Sequence, residues 1–500
     1  MVRLGRTAVE GLLAKSAVLA SSAGMARVLL IALNLTGTPW NRGAFVSLGV
    51  MSSLLRKHGH RCRFLLLRDS WRSRHELRAA LGSVRPDLIG FSAMSSDLSH
   101  SLELCRQAKR ISGAATIFGG VHPTLEPEET IRDASVDFVC VGEGEYPLLE
   151  LADGLSANRD VSKICNLWCR RDGSIVRNPQ RPLNDVAALP APDLELLYGG
   201  RSPVYFASST TACPYSCAHC CSQALRQRAA GLGTICRTKP VEKLIDELLA
   251  AKRELHMSRV SFVDGNFVHG KRWMLEFCER YAESIGLPFA AQASINCMDD
   301  EILVALRRAG CYLLGFGIES GVERTRREVL RKEIGTNEEI ARMIRAVKAA
   351  GIEVGANFLL GIPGEREEEM ARTYRFARSL PLDQVYAFNL VPFRHTQIWQ
   401  TCNEQHLIAS DPHFTTRSDV SHLSYSTEHR AAIRKYFNRI YNLSTYKKYR
   451  LLRRFRPLRP LYDLVKSVVG HYTMEMTRSR VAFLLGDLKY CLRLKRDVDA

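Results

Sequence analysis

The chain has 500 residues, of which 46% are hydrophobic and 24% charged, a balance that supports two or three globular domains and excludes a disordered or fibrous chain. Its 15 cysteines are unevenly spaced, which argues for a reducing, cytoplasmic compartment and against a disulfide framework. The formal net charge is +18, and no segment has the length and apolarity of a membrane-spanning helix.

Residues 1–25 are basic and rich in alanine and serine, with Glu10 the only acid, and their apolar run Ala17 to Ala20 is too short for an export core. An N-terminal extension is expected there, either transit-like or upstream of the true start. From Ala26 strands and helices alternate. Ala26 to Asn34, Arg61 to Leu67, Asp87 to Met94, Ala115 to Gly120 and Val136 to Val141 read as strands. Helices are expected at Gly43 to His58, Ser73 to Ser83, Leu98 to Ile111 and Glu126 to Asp133. This alternation predicts a doubly wound, Rossmann-like parallel sheet over residues 26–155.

Such sheets bind ligands outside the carboxyl ends of their strands. Here these ends are Asn34 to Thr38, Ser92 to Ser96, Gly119-Gly120-Val121-His122-Pro123 and Gly142-Glu143-Gly144-Glu145. Any one of these glycines could simply form a turn, but small residues recur at successive strand ends. That recurrence makes Ser92, Gly119, Gly120, Gly142 and Glu143 candidate ligand positions. Residues 156–203 form a connector, with an Asp172-Gly173 hairpin between Trp168 to Arg170 and Ile175 to Arg177, followed by Pro182, Pro190 and Pro192.

Cys213, Cys217 and Cys220 follow the strand-like run Val204 to Ser208 in a CxxxCxxC spacing. A [4Fe-4S] cluster takes four thiolates, so three on one loop leave one iron open to a chelating small molecule. The competing readings are a zinc site and three unrelated thiols. Zinc needs a fourth ligand, and no second CxxC or HxxxH pair follows; Cys221 reads as a packed or spare thiol.

Strand and helix alternation resumes beyond the loop. Strands near 258–264, 288–294, 312–318, 353–360 and 384–391 are separated by helices near 240–254, 271–285, 299–309, 337–350 and 366–379. With Val204 to Ser208 they predict a partial (β/α)6 barrel over residues 204–400, whose reactive groups should lie at the strand carboxyl ends. Those ends are Asp264-Gly265-Asn266, Ser294 with Asn296, Gly317-Ile318-Glu319-Ser320 and Gly361-Ile362-Pro363-Gly364-Glu365. Glu319 can accept hydrogen bonds from a ligand or can cap the next helix.

Residues 401–500 form a basic helical region. Tyr425 to Ala500 holds 18 Lys and Arg against six Asp and Glu. The plainest account is an amphipathic cap with a solvated basic face. No recognition motif points to specific nucleic-acid binding; the run Tyr446 to Lys466 could instead lie on an anionic membrane surface, a peripheral membrane contact.

The CxxxCxxC loop resembles the signature of the radical SAM superfamily, in which the open iron binds S-adenosylmethionine (SAM) and reductive cleavage yields a 5′-deoxyadenosyl radical. The family has an aromatic residue just before the third cysteine; His219 stands there. The resemblance implies that Asp264, Ser294, Glu319, Gly361 and Gly364 contact SAM. Lys332 is either a partner of the SAM carboxylate or solvated, and Arg331 reads as solvated.

The strings Gly119-Gly120-Val121-His122-Pro123 and Gly142-Glu143-Gly144-Glu145 resemble the cobalamin-binding domain that precedes many radical SAM barrels. The DxHxxG motif is absent, so a histidine lower ligand of that type is not expected, and His122 is not assigned that role.

Together the resemblances cover about residues 26–400 and imply a cobalamin-dependent radical SAM enzyme using a [4Fe-4S] cluster, SAM and cobalamin. Class B methyltransferases of this kind methylate an unactivated carbon of a metabolite. Anaerobic oxidative cyclases and rearranging enzymes share the architecture, and a non-catalytic cluster-binding or nucleic-acid-binding protein is the distant alternative. An electron donor such as flavodoxin or ferredoxin is implied. The segment Pro392-Phe393-Arg394-His395-Thr396 is expected to help form the substrate pocket.

Overall fold

The computed structural model describes residues 24–34, 45–67, 71–408 and 423–453. The N-terminal extension up to residue 23, most of the loop Asn34 to Thr38, and the basic region beyond 453 lie outside the described residues.

The first sheet holds β1 (Arg27–Leu33), β2 (Arg61–Leu67), β3 (Leu88–Ser92), β4 (Ala115–Gly119) and β5 (Phe138–Cys140). These five are parallel in the order β2-β1-β3-β4-β5. The apolar run of β1 is explained by burial on both faces. Val28, Leu30 and Ala32 join the core on one side of the sheet, and Leu29, Ile31 and Leu33 join the core on the other. Because β1 sits between β2 and β3, the chain reverses its winding there, and a crevice opens at the carboxyl ends of β1 and β3.

The hairpin at Asp172-Gly173 forms, with both turn residues at positive φ (49° and 79°). Its strands β6 (Leu167–Arg171) and β7 (Ser174–Arg177) do not stay in a free connector: β6 pairs antiparallel with β5, so the sheet has seven strands. A lone hairpin is marginal in water. Burying Leu167, Trp168 and Cys169 against the sheet stabilises this one.

The second sheet holds β8 (Val204–Ala207), β9 (Arg259–Phe262), β10 (Phe289–Ala293), β11 (Cys311–Glu319), β12 (Glu353–Leu360) and β13 (Gln384–Asn389). All six are parallel and adjacent in chain order, as a partial (β/α)6 barrel requires. Helices Val241–Leu255, Lys271–Ser284, Asp300–Arg308, Asn337–Ala349 and Glu367–Ser379 fill the crossovers. Local chemistry sets their starts: Asp299 accepts from the Ile302 N–H at 2.8 Å, and Thr336 with Glu339 forms a capping box.

Beyond the barrel, helix Thr427–Arg453 packs on β13 and on helix Glu367–Ser379. Ala432, Ile433, Tyr436 and Ile440 enter the barrel's outer core, and Lys435 Nζ pairs with Glu367 at 2.7 Å. The start of the basic region is therefore part of the barrel wall. Among the described residues no helix is long and apolar enough to cross a membrane.

Candidate active site

The loop after β8 carries the three cysteines, each free and partly buried. Arg226, on the helix Ser222–Arg228 that follows, donates to the carbonyls of Cys213 and Tyr215, both at 3.0 Å, and to Ser216 Oγ at 3.0 Å. Ala218 N–H donates to the Leu330 carbonyl at 2.8 Å, tying the loop to the segment below β11. Burial pushes the Cys217 thiol up to about 11 and raises that of Cys213. Interaction with Cys221, against the opposing effect of burial, and then with Ser222 Oγ at 3.2 Å holds the Cys220 thiol below the usual range.

Glu319 ends β11 at φ +67°, in the left-handed region that a non-glycine residue rarely adopts. A register shift between Gly317 and Glu319 accompanies it. Its Oε1 pairs with Lys332 Nζ at 2.7 Å, and both side chains are largely buried. A Cβ on Gly317 would lie 2.4 Å from both of those atoms, so this glycine makes room for the pair. Burial disfavours the Lys332 ammonium, but the Glu319 carboxylate and the thiols of Cys217 and Cys213 outweigh it, and its pKa is raised. Lys332 is thus a buried cation beside the cysteine loop and not a solvated one.

Arg326 anchors the same segment. It is buried and lies in the π-helical turn Thr325–Val329; it donates to the carbonyls of Ser320 (2.7 Å) and Gly335 (3.0 Å) and to Asn337 Oδ1 (2.7 Å). Its own carbonyl accepts from Lys332 N–H at 2.9 Å.

The other expected residues divide. Asp264 is buried, and its carboxylate accepts from the N–H groups of Ser209 (2.9 and 3.0 Å) and Thr210 (2.8 Å) and from Ser208 Oγ (3.1 Å). It therefore shapes the entry to the cysteine loop. Ser294 Oγ donates to Asn296 Oδ1 at 2.5 Å, and Tyr215 from the cysteine loop reaches the same oxygen at 3.1 Å. Tyr215, Asn296, Arg327, Glu328, Arg331 and Glu333 line a pocket of about 470 Å³ beside the loop.

Gly361 and Gly364 both have positive φ, +73° and +74°. Gly361 is closed in: its N–H donates to Glu365 Oε2 at 2.9 Å and its carbonyl accepts from Tyr425 at 3.3 Å. Gly364 faces open space. Burial pushes the Glu365 carboxyl up to about 8.

In the first domain, Ser92 and Gly119 are paired across β3 and β4. Gly120 has φ +105°, and a Cβ there would meet the Ala93 carbonyl at 2.8 Å. Ser95 Oγ lies 3.1 Å from His122 Nδ1. Gly142 has φ +96° and lies under Gln180. Glu143 forms an ion pair with Arg237 and accepts from Asn184 N–H at 2.7 Å. Arg237 lies between the cysteine loop and helix Val241–Leu255, so Glu143 joins the two domains.

Further contacts join the same faces. Helix Val121–Leu125, directly after β4, packs on helix Ser222–Arg228, directly after the cysteines. His395 Nε2 and Arg394 Nη1 reach Glu126 (3.0 Å) and Glu129 (3.3 Å). The segment expected to shape a pocket thus clasps the first domain. The carboxyl ends of the first sheet are set against the mouth of the second.

These residues fit the groups their chemistry implies. The cysteine side chains are close enough for each to act electrostatically on the others, and Gly265 leaves space beside Cys213. Among the described residues no set of three or more His, Cys, Asp or Glu is drawn together as for one ion. A four-iron cluster spreads its thiolates around a cube and does not need them converged. His219 Nδ1, next to Cys220, is buried without a hydrogen-bond partner among the described residues, as expected where a polar ligand edge completes the site. The crevice ends Ser92, Ala93, Gly119 and Gly120 carry no side chain larger than serine, which leaves a ledge for a bulky flat group.

Residues 44–152 match the B12 binding domain family, and residues 207–377 match the Radical SAM superfamily. The chain thus carries a B12-binding domain followed by a Radical SAM domain, the arrangement of cobalamin-dependent radical SAM enzymes. It is 28% identical over 353 residues to an uncharacterized methyltransferase of Pyrococcus horikoshii, covering 68% of this chain and 75% of that one. It is 22% identical over 350 residues to the anaerobic magnesium-protoporphyrin IX monomethyl ester cyclase of Rubrivivax gelatinosus, covering 67% and 61%. Its fold is similar to the radical SAM methyltransferase TsrM from Kitasatospora setae, solved with cobalamin and a [4Fe-4S] cluster: TM-score 0.63, 18% identity, 78% and 76% covered.

Sequence reasoning missed Arg226, Arg326 and the Glu143–Arg237 bridge. Lone arginines among 70 basic residues carry no signal of their own. Gly317 was visible as part of the string before Glu319, though its steric reason was not.

Proposed function

We propose that this protein methylates an unactivated carbon of a small-molecule metabolite, with a [4Fe-4S] cluster on Cys213, Cys217 and Cys220 and cobalamin on the first sheet. The observation that carries the reading is the junction, where helix Val121–Leu125 packs against the helix that leaves the cysteine loop. When bound, the cluster with SAM supplies a 5′-deoxyadenosyl radical, and cobalamin supplies the methyl group.

The chain's own residues bind and orient. Glu319 accepts hydrogen bonds from the ammonium or ribose of SAM, while Lys332, already held beside the thiols, faces the SAM carboxylate. Ser294 and Asn296 offer further polar contacts, and Gly364 offers open backbone; Asp264 acts at one remove, by fixing Ser208 to Thr210. Ser92, Gly119, Gly120 and Gly142 support the cobalamin face, and Glu143 locks that face to the barrel through Arg237. A one-electron donor such as flavodoxin or ferredoxin completes the cycle.

Likeness to the cyclase supports a second reading, oxidation or cyclisation without methyl transfer. Anaerobic turnover with substrate separates the two. Methyl transfer forms S-adenosylhomocysteine and 5′-deoxyadenosine together; 5′-deoxyadenosine alone rules it out. Alanine at Cys213, Cys217 and Cys220 should remove the cluster, and a cluster that survives overturns the assignment.

A further inference from the structure

The inner face of the barrel at β12 and β13 is built unlike its outer face. Val385 and Ala387 join Ile433 and Tyr436 in the helix-side core, so the alternating Tyr386 and Phe388 project to the opposite, inner face. Both remain solvent-accessible, at 45% and 41%. Yet burial raises the Tyr386 phenol pKa, so the ring is surrounded by protein while still reached by water.

The strand register places the neighbours. Asn357 pairs with Tyr386, Leu359 with Phe388, and Gly355 with Gly315. Gly315 is explained by Gln292, whose amide lies 2.4 Å from the position of a Cβ there. Gly355 has no such reason. Its φ is not positive, and a Cβ there would make only ordinary contacts, the nearest at 3.6 Å. Neither the backbone nor the packing requires glycine at 355, which is buried across from Gln384, and a larger side chain there would stand on the same face as the two aromatic rings. Asn357 is half-buried next to them, with an amide that no other described residue engages.

We infer that this inner wall, formed by Gly355, Asn357, Leu359, Tyr386 and Phe388, is the substrate subsite, and that it takes a planar ring system with one polar edge. The two rings suit a flat face, which a side chain at 355 would crowd, and the Asn357 amide suits a hydroxyl, amide or ring nitrogen. Leu359 lies one residue beyond Phe358, which pairs with Glu319, so the upper end of the subsite is level with the Glu319–Lys332 pair, while Gly355, opposite Gly315, lies deeper in the barrel. The inference rests on the catalytic reading of the barrel, but its test does not need turnover.

Binding of 2-naphthol and of n-octanol to the anaerobically purified full chain is measured by fluorescence and by competition. The expected result is at least tenfold tighter binding of 2-naphthol. Phe388→Ala and Gly355→Leu should each lower 2-naphthol affinity at least tenfold, with thermal midpoints within a few degrees of wild type. Val304→Ser, on the exposed outer helix Asp300–Arg308, should leave affinity unchanged. Equal binding of octanol, unchanged affinity in both inner-wall variants, or loss of binding in Val304→Ser overturns the proposal. If either inner-wall variant unfolds, Tyr386→Leu replaces it, with the same tenfold loss expected and unchanged affinity again counting against the subsite. Failure of SAM cleavage in a separate assay would strike the catalytic reading alone.

Discussion

Glu319 concentrates the chemistry of the site in one residue: a left-handed backbone, a buried carboxylate and a buried cationic partner. Breaking one side of such a pair strands the other, at a cost of about 3–5 kcal/mol. The gentler change is Gly317→Ala, whose methyl would sit between the two charges. It should raise the KM for SAM at least tenfold while the iron content per chain stays at the wild-type value; an unchanged KM would show that the pair does not meet SAM. Glu365 gives a pH prediction. Its folded pKa, about 8, lies above the ordinary carboxylate value, so the folded state holds a proton that the unfolded chain has lost. The stability it contributes is full below about pH 4.5 and is lost as pH rises toward 8. Wild-type Tm should therefore fall over that window more steeply than the Tm of Glu365→Gln; parallel curves would contradict it. Glu319 and the cysteines stand out in the sequence as candidates because each belongs to a spaced string. Asp264 was legible as important but not as a brace for the loop, since only the fold brings Ser208 to Thr210 onto its carboxylate.

Among the elements, the strands were the most readable. Continuous apolar runs such as Val28 to Leu33 are what burial on both faces of a parallel sheet demands, and their bounds fell within a residue or two of the expected ones. What a strand pairs with is written less plainly. The Asp172-Gly173 turn announces a hairpin, yet nothing local says that β6 will add to β5. Helix Thr427–Arg453 is a similar case: its many basic residues mask the stripe Ile433, Tyr436 and Ile440 that holds it to the barrel. Ile440→Ala should cost about 2–5 kcal/mol as a buried large-to-small change. Its denaturation midpoint should drop accordingly, and a midpoint equal to wild type would mean that the helix contributes little to the barrel.

At the scale of the whole molecule, two sheets of separate origin in the sequence meet through few charged contacts, of which Glu143–Arg237 is the most enclosed. Arg237→Ala should leave the iron content unchanged but lower the cobalamin retained after gel filtration at least threefold. Equal retention would show that the bridge does not position the cobalamin face. The domain order was legible from the two motif sets; the junction was not, because Glu143 and Arg237 lie far apart in the chain. Helix Thr427–Arg453 has a further consequence in time. Synthesis runs from the N-terminus, so β13 leaves the ribosome before the helix that covers it. During that interval Val385 and Ala387 form a sticky flank on an otherwise finished barrel. The pace of translation between β13 and the end of that helix therefore sets how long each new chain is a client for chaperones and a hazard to its neighbours.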